Sequence, residues 1–218
     1  IEIGTCLEGC ESFVRTPTSG DFAILIGAIN AYVDYFNAAN GEGVVENHFG
    51  ILETGASTED RSSEEYLQKK ASFKDADTLV DDNGDAVMME WETPLMAAHA
   101  DVCVGAFPHD ACSHLKERND LRVLNVGHGL GIVDGFLRNH GDRIAEHCII
   151  EPHPDVLRRI DTQQEKWEGV TFRRETWQES LEDPAFGPFD AIFFDTYAER
   201  YEDMRAFFRA LPRILNKG

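Results

Sequence analysis

The run Val123-Leu124-Asn125-Val126-Gly127-His128-Gly129-Leu130-Gly131-Ile132 constrains the fold more than any other stretch of this chain. Its apolar beginning predicts a strand, its three alternating glycines a tight turn, and Ile132, Val133, Phe136 and Leu137 make the apolar face of a following helix. Glycine lets a backbone approach a bound ligand closely. A nucleotide-type ligand is therefore the leading reading of the turn, beside a purely structural one.

The spacing narrows the choice. A dinucleotide fingerprint needs Gly-x-Gly-x-x-Gly, whereas here the third glycine comes one residue early and Ile132 takes the last position. That disfavours an NAD-type oxidoreductase. Downstream, strands are expected at 147–151, 170–174 and 189–195 after the first at 122–126. Pro154 with Asp155 opens a helix that carries Val156, Leu157 and Ile160. Such alternation builds a parallel sheet with helices on both faces, a Rossmann-like α/β fold. Two acidic side chains fall at the carboxyl ends of these strands, where open parallel sheets bind ligands. Glu151 is placed to accept hydrogen bonds from ribose hydroxyls, and Asp195 ends a buried apolar run.

The rest of the chain reads more coarsely. An amphipathic helix is expected over 21–39, and Gly, Asn, Ser and Thr over 40–63 read as a linker, so residues 1–60 form an N-terminal extension and 61–218 the main domain. Ser62-Ser63-Glu64-Glu65 looks like a helix start and Asp81-Asp82-Asn83-Gly84 a turn, in a short covering segment. Thr93 is expected as an N-cap with Pro94 at the first helical position. A last helix is expected over 198–216, with Pro212 kinking or ending it. The chain stops where a strand should follow, so the final strands of a seven-stranded sheet are expected to be missing.

Forty acidic against twenty basic residues give a net charge of -20, which repels phosphate backbones and anionic membranes and favours a basic partner. Five cysteines without paired spacing suggest reduced intracellular thiols and no structural metal. His128 and His153, on separate loops, are not expected to bind metal either.

Taken together, Trp91-Glu92-Thr93-Pro94-Leu95-Met96, the glycine loop, Glu151-Pro152-His153-Pro154 and Asp195-Thr196-Tyr197 resemble guanidine methyltransferases. Within that group Tyr66-Leu67, Val87 to Glu92 and Ala198 to Met204 look most like the fungal-type protein arginine methyltransferases that modify the delta nitrogen. Guanidinoacetate methyltransferase is the alternative. The resemblance implies a class I methyltransferase sheet and S-adenosylmethionine as cofactor. It implies that Tyr66, Met88 and Met96 line the cofactor, that Gly127, His128, Gly129, Leu130, Gly131 and Ile132 wrap its amino-acid part, that Glu151 holds its ribose, and that Pro152 also lies at the cofactor. His153, Thr176 and Trp177 would flank the adenine, and Asp195 would sit at both the cofactor and the substrate.

A guanidinium has no acceptor and must be gripped and deprotonated by carboxylates. By resemblance and by this chemistry Glu92 and Asp195 take that role and Tyr197 contacts the substrate. The implied partner is a basic, ribosomal protein in the cytoplasm or nucleus, with neither nucleic acid nor membrane involved. A second alternative is a nucleotide-binding oxidoreductase or an inactive binding module, against which the Glu92 and Asp195 pair argues.

Overall fold

Apolar residues on both faces of successive strands call for a sheet covered on each side. The described residues of a computed structural model, 63–75, 78–107, 110–197 and 201–216, are arranged in that way. The helix expected over 21–39, and nearly all of the N-terminal extension and linker, lie outside the described residues. Helix α1 (Ser63–Gln68) leads into an antiparallel meander of β1 (Ser72–Phe73), β2 (Thr78–Val80) and β3 (Ala86–Met89). A 3-10 turn, Glu90–Glu92, then feeds α2 (Thr93–Cys103). The central elements follow as β4 (Leu121–Val126), α3 (Ile132–Asn139), β5 (Ile144–Ile150), α4 (Pro154–Asp161), β6 (Val170–Arg173), α5 (Trp177–Glu182), β7 (Ala191–Phe194) and α6 (Tyr201–Ile214).

The four central strands are all parallel, in the order β6-β5-β4-β7. β4 is buried at every position except Arg122, and its neighbouring residues divide between two cores. Val123 packs with Met96, Ala100, Val133, Leu137 and Val156, so α2, α3 and α4 cover one face. Leu124 and Val126 pack with Trp177, Phe207 and Ile214, so α5 and α6 cover the other. Each such fully buried aliphatic or aromatic side chain contributes roughly 1.5–3 kcal/mol. The sheet places Gly127, Glu151 and Asp195 together, because parallel strands end at one edge. The chain turns from β4 to β5 on one side and β7 lies on the other, so that edge opens between them.

Several boundaries differ from the sequence expectation. Glu92, not Thr93, is the N-cap of α2; the preceding turn is already helical, and the Thr93 hydroxyl donates to the Glu90 carbonyl instead. Pro212 lies inside α6 without ending it, because the buried Ile214 holds the final turn wound against the core. β7 begins at Ala191, since Phe189 pairs in parallel with Leu215 beyond α6. β5 begins at Ile144, earlier than expected, where Leu121 pairs with it. No described helix is long and apolar enough to cross a membrane.

Candidate active site

A cavity of about 420 Å³ opens at the carboxyl edge of the sheet, a size that suits a small-molecule site. Its floor is the strand-to-loop junction of β4. Gly127 has φ of 98°, and a Cβ there would lie 2.0 Å from the Asp195 carbonyl oxygen. Only glycine lets the β4 and β7 ends come this close. The loop is braced from β5: Glu151 Oε2 accepts from the N–H groups of His128 at 3.0 Å and Gly129 at 3.3 Å, and its Oε1 accepts from His153 N–H at 2.7 Å. Glu151 thus lines the cavity and at the same time fixes the loop.

The wall facing the sheet comes from the N-terminal elements. Tyr66 on α1 packs on the His153 ring at 4.6 Å and edge-on to Tyr197 at 4.9 Å. Burial first, then Glu151, Tyr197 and Asp81, push the Tyr66 hydroxyl well above its usual range, so it keeps its proton. Met88 on β3 lies against the loop, its Sδ accepting from Leu130 N–H at 3.3 Å. At the far end Thr176 caps α5 by accepting from Glu179 N–H, and Trp177 lines the cavity while packing edge-on against Phe207 at 5.4 Å.

Two carboxylates line this cavity. Glu92 closes the 3-10 turn, its Oε1 accepting from Met89 N–H at 2.9 Å, and the residue lines the cavity. Asp195 follows β7; its backbone N–H donates to the Val126 carbonyl at 3.0 Å, while its carboxylate makes no hydrogen bond among the described residues, although the residue lines the same space. Burial raises the affinity of both for a proton; for Glu92 the Met89 N–H opposes this, and the charge of Asp195 adds to it. Glu92 therefore senses the charge of Asp195. Neither has a cation: among the described lining residues there is no Lys, Arg or His.

Of the residues expected at the site, Glu92, Asp195, Tyr197, Tyr66, Met88, Gly127, Gly129, Glu151, Pro152, Thr176 and Trp177 line this cavity. Others lie elsewhere. Met96 faces the core beneath α2, since it is 2% exposed among apolar residues. The His128 ring is turned away from the cavity toward Asp134, Leu130 and Gly131 are buried behind it, and Ile132 packs as the first residue of α3. His153 caps α4, accepting from Asp155 N–H, and stands behind Tyr66. Sequence reasoning missed Leu79, Gln178, Thr196 and Asp203. Thr196 sits inside a motif that was read, and its buried Oγ1 has no partner among the described residues. Among the described residues there is no group of His, Cys, Asp and Glu side chains able to hold a metal ion.

The sequence profile of a family described as guanidinoacetate N-methyltransferase matches residues 51–209. The chain belongs to that family. All of the described cavity wall lies within the matched span. Among curated relatives, the chain is 40% identical to Protein arginine N-methyltransferase 2 of Aspergillus oryzae over 162 residues, 72% of this chain and 34% of the relative. It is 38% identical to the protein of that name from Aspergillus fumigatus over 164 residues, 70% of this chain and 34% of the relative. With that of Cryptococcus neoformans var. neoformans it shares 33% identity over 215 residues, 87% of this chain and 59% of the relative. The chain thus spans about a third of the length of the two Aspergillus relatives it matches. Among solved structures, MNMC2 from Aquifex aeolicus aligns with a TM-score of 0.39 at 17% identity, covering 80% of this chain and 69% of that one. That likeness carries no weight here, and the fold rests on the sheet itself.

Proposed function

We propose that this chain transfers a methyl group from S-adenosylmethionine to the internal, delta nitrogen of an arginine side chain in a protein. The observation that carries the reading is the pair Glu92 and Asp195, two carboxylates lining one cavity with no described cation among its lining residues, the charge of Asp195 acting on Glu92. A planar guanidinium offers donors only, and paired carboxylates match it through charge-assisted hydrogen bonds. The names of the fungal relatives support the protein-arginine part of this reading.

The cavity fits the methyl donor. Gly127 provides the close backbone approach, Glu151 stands at the end of β5, and Thr196 offers a buried polar atom in need of a partner. Gly127, Gly129, Tyr66, Met88, Thr176 and Trp177 would hold it, with Glu151 giving a ribose the acceptor capacity not used by the loop. Bound there, S-adenosylmethionine would supply an electrophilic methyl group, its sulfur–methyl bond breaking to leave the neutral thioether S-adenosylhomocysteine.

Glu92 and Asp195 grip and orient the guanidinium. As the nitrogen–carbon bond forms, the proton of that nitrogen passes to one of these carboxylates, whose burial already favours taking it. Tyr197 contacts the bound side chain. A free guanidino acid also carries a carboxylate, and no described lining residue offers a cation for it, which supports a peptide arginine over guanidinoacetate. The net charge of -20 suits a basic substrate such as a ribosomal protein, and an intracellular site of action belongs to the same reading.

The test is incubation of the full-length protein with S-adenosylmethionine and either an arginine-rich peptide or guanidinoacetate, followed by fragmentation mass spectrometry of the product. Delta-monomethylated peptide is expected. Methylated guanidinoacetate alone would replace this reading with the small-molecule one.

A further inference from the structure

The turn between β2 and β3 carries a buried carboxylate that the proposed chemistry leaves unused. Asp81 is 5% exposed. Its Oδ1 accepts from Asn83 N–H and Asp85 N–H, both at 2.9 Å, and backbone bonds between Asp81 and Asp85 and between Gly84 and Asp81 complete the turn. One side-chain oxygen meets the need of such a turn, and Asn or Ser would serve it as well. The second oxygen is nonetheless turned toward the sheet edge. There Oδ2 accepts from the Tyr197 hydroxyl at 3.3 Å, across 116 positions of sequence.

Burying that oxygen has a cost unless it is hydrogen-bonded, so the arrangement calls for an explanation beyond the turn. Tyr197 supplies one. It lines the cavity with Glu92 and Asp195. A hydroxyl beside a guanidinium has to act as an acceptor, because the guanidinium has no lone pair to offer. A hydroxyl whose proton is already given to a carboxylate presents only lone pairs to its other neighbours, and polarisation makes it the better acceptor. The 3.3 Å separation is long for a hydroxyl donor, as is common in sites without substrate.

We propose that Asp81 is a positioning residue: by accepting the hydrogen bond of the Tyr197 hydroxyl it leaves that oxygen as an acceptor for the guanidinium gripped by Glu92 and Asp195. The inference rests on the guanidinium reading above and adds that the β2-β3 turn takes part in substrate recognition through Tyr197.

The test is calorimetric binding of an arginine peptide to the full-length protein with S-adenosylhomocysteine present, for wild type, Asp81→Asn, Tyr197→Phe and the double variant. Asp81→Asn keeps an acceptor for the turn but sets an amide donor opposite Tyr197, which reverses the hydroxyl. About tenfold weaker peptide binding is expected, the size of one charge-assisted hydrogen bond. Tyr197→Phe should lose about as much and the double variant no more, while S-adenosylhomocysteine affinity stays within about twofold. A merely structural Asp81 would instead give additive losses, or weaken both ligands. Peptide affinity unchanged in Asp81→Asn overturns the proposal. If that variant does not fold, Asp81→Ser is measured under the same two criteria. Should wild type bind guanidinoacetate and no peptide, the protein-arginine reading fails, and the same variants are scored on guanidinoacetate, which has the same head group. Binding of neither ligand overturns both.

Discussion

The His128 imidazole lies 2.7 Å from the Asp134 carboxylate through Nδ1, with both side chains buried behind the glycine loop. The same carboxylate accepts from His147 Nε2 at 2.9 Å and from Asn125 Nδ2 at 3.0 and 2.9 Å. One side chain on α3 therefore ties together β4, β5 and the loop that forms the cavity floor.

Burial by itself would raise the Asp134 carboxyl, but hydrogen bonds from His128 and His147 prevail and hold it at about 2. The folded value is thus depressed below the ordinary carboxylate value of about 3.9. The stability this provides is present in full above that ordinary value and disappears as pH falls toward about 2. Asp134→Asn should lower unfolding free energy at neutral pH by roughly 2–4 kcal/mol, since a single amide oxygen cannot accept from both buried imidazoles. Urea titrations at pH 7 and pH 3 check this. Equal stability of variant and wild type at pH 7 would contradict it.

Close approach at the β4 end makes Gly127→Ala a severe change. The added Cβ would sit 2.0 Å from the Asp195 carbonyl oxygen, so β7 must shift and Asp195 with it. Loss of measurable S-adenosylhomocysteine binding is expected, with destabilisation of about 1–3 kcal/mol from overpacking. Gly135→Ala is the control, because nothing lies within 4 Å of a Cβ there and the position is inside α3. It should keep full binding and gain about 0.5–1 kcal/mol. Comparable binding by the two variants would argue against the tight contact.

The sheet was legible because its strands are continuous apolar runs separated by glycine and proline signals, and a parallel order puts Gly127, Glu151 and Asp195 at one edge whatever the loops do. What depends on side-chain direction was not. Met88 and Met96 read alike, yet β3 turns Met88 to the cavity while α2 turns Met96 into the core. His128 sits in the middle of the glycine run, but the buried charge of Asp134 draws its ring away. β1 and β2, of two and three residues, are too short to show a period of two. Partners far apart in sequence, such as Asp81 and Tyr197, leave no local signal.

The carboxylate pair predicts the acidic limb of the pH–rate profile. Burial raises Glu92, and the charge of Asp195 raises it further against the opposing Met89 N–H; burial raises Asp195. Both must be ionised to grip a guanidinium, so kcat/KM should fall with decreasing pH along a limb placed above the ordinary carboxylate range of about 4. Glu92→Gln removes one of the two raised carboxylates, and the residual activity should show a single acidic limb, that of Asp195. Activity that stays flat down to pH 4 in wild type would exclude this pair as the grip.

Asp195→Asn should separate stability from function. A carboxylate whose folded value is raised is more easily protonated in the native state than in the unfolded chain, so its ionised form destabilises the fold. The penalty is absent below the ordinary carboxylate value, grows as pH rises toward the raised one and is carried in full above it. An uncharged amide of the same shape removes it. Asp195 makes no described hydrogen bond that the substitution would break, so the variant should unfold at a temperature a few degrees higher, on the order of 1 kcal/mol. With only Glu92 left to hold the guanidinium and take the proton, methyl transfer should drop by at least about a hundredfold. Calorimetric unfolding and a transfer assay on the same preparation decide the matter. A variant that is less stable than wild type at pH 7, or that transfers at the wild-type rate, would show that Asp195 is held for its packing and not for its charge.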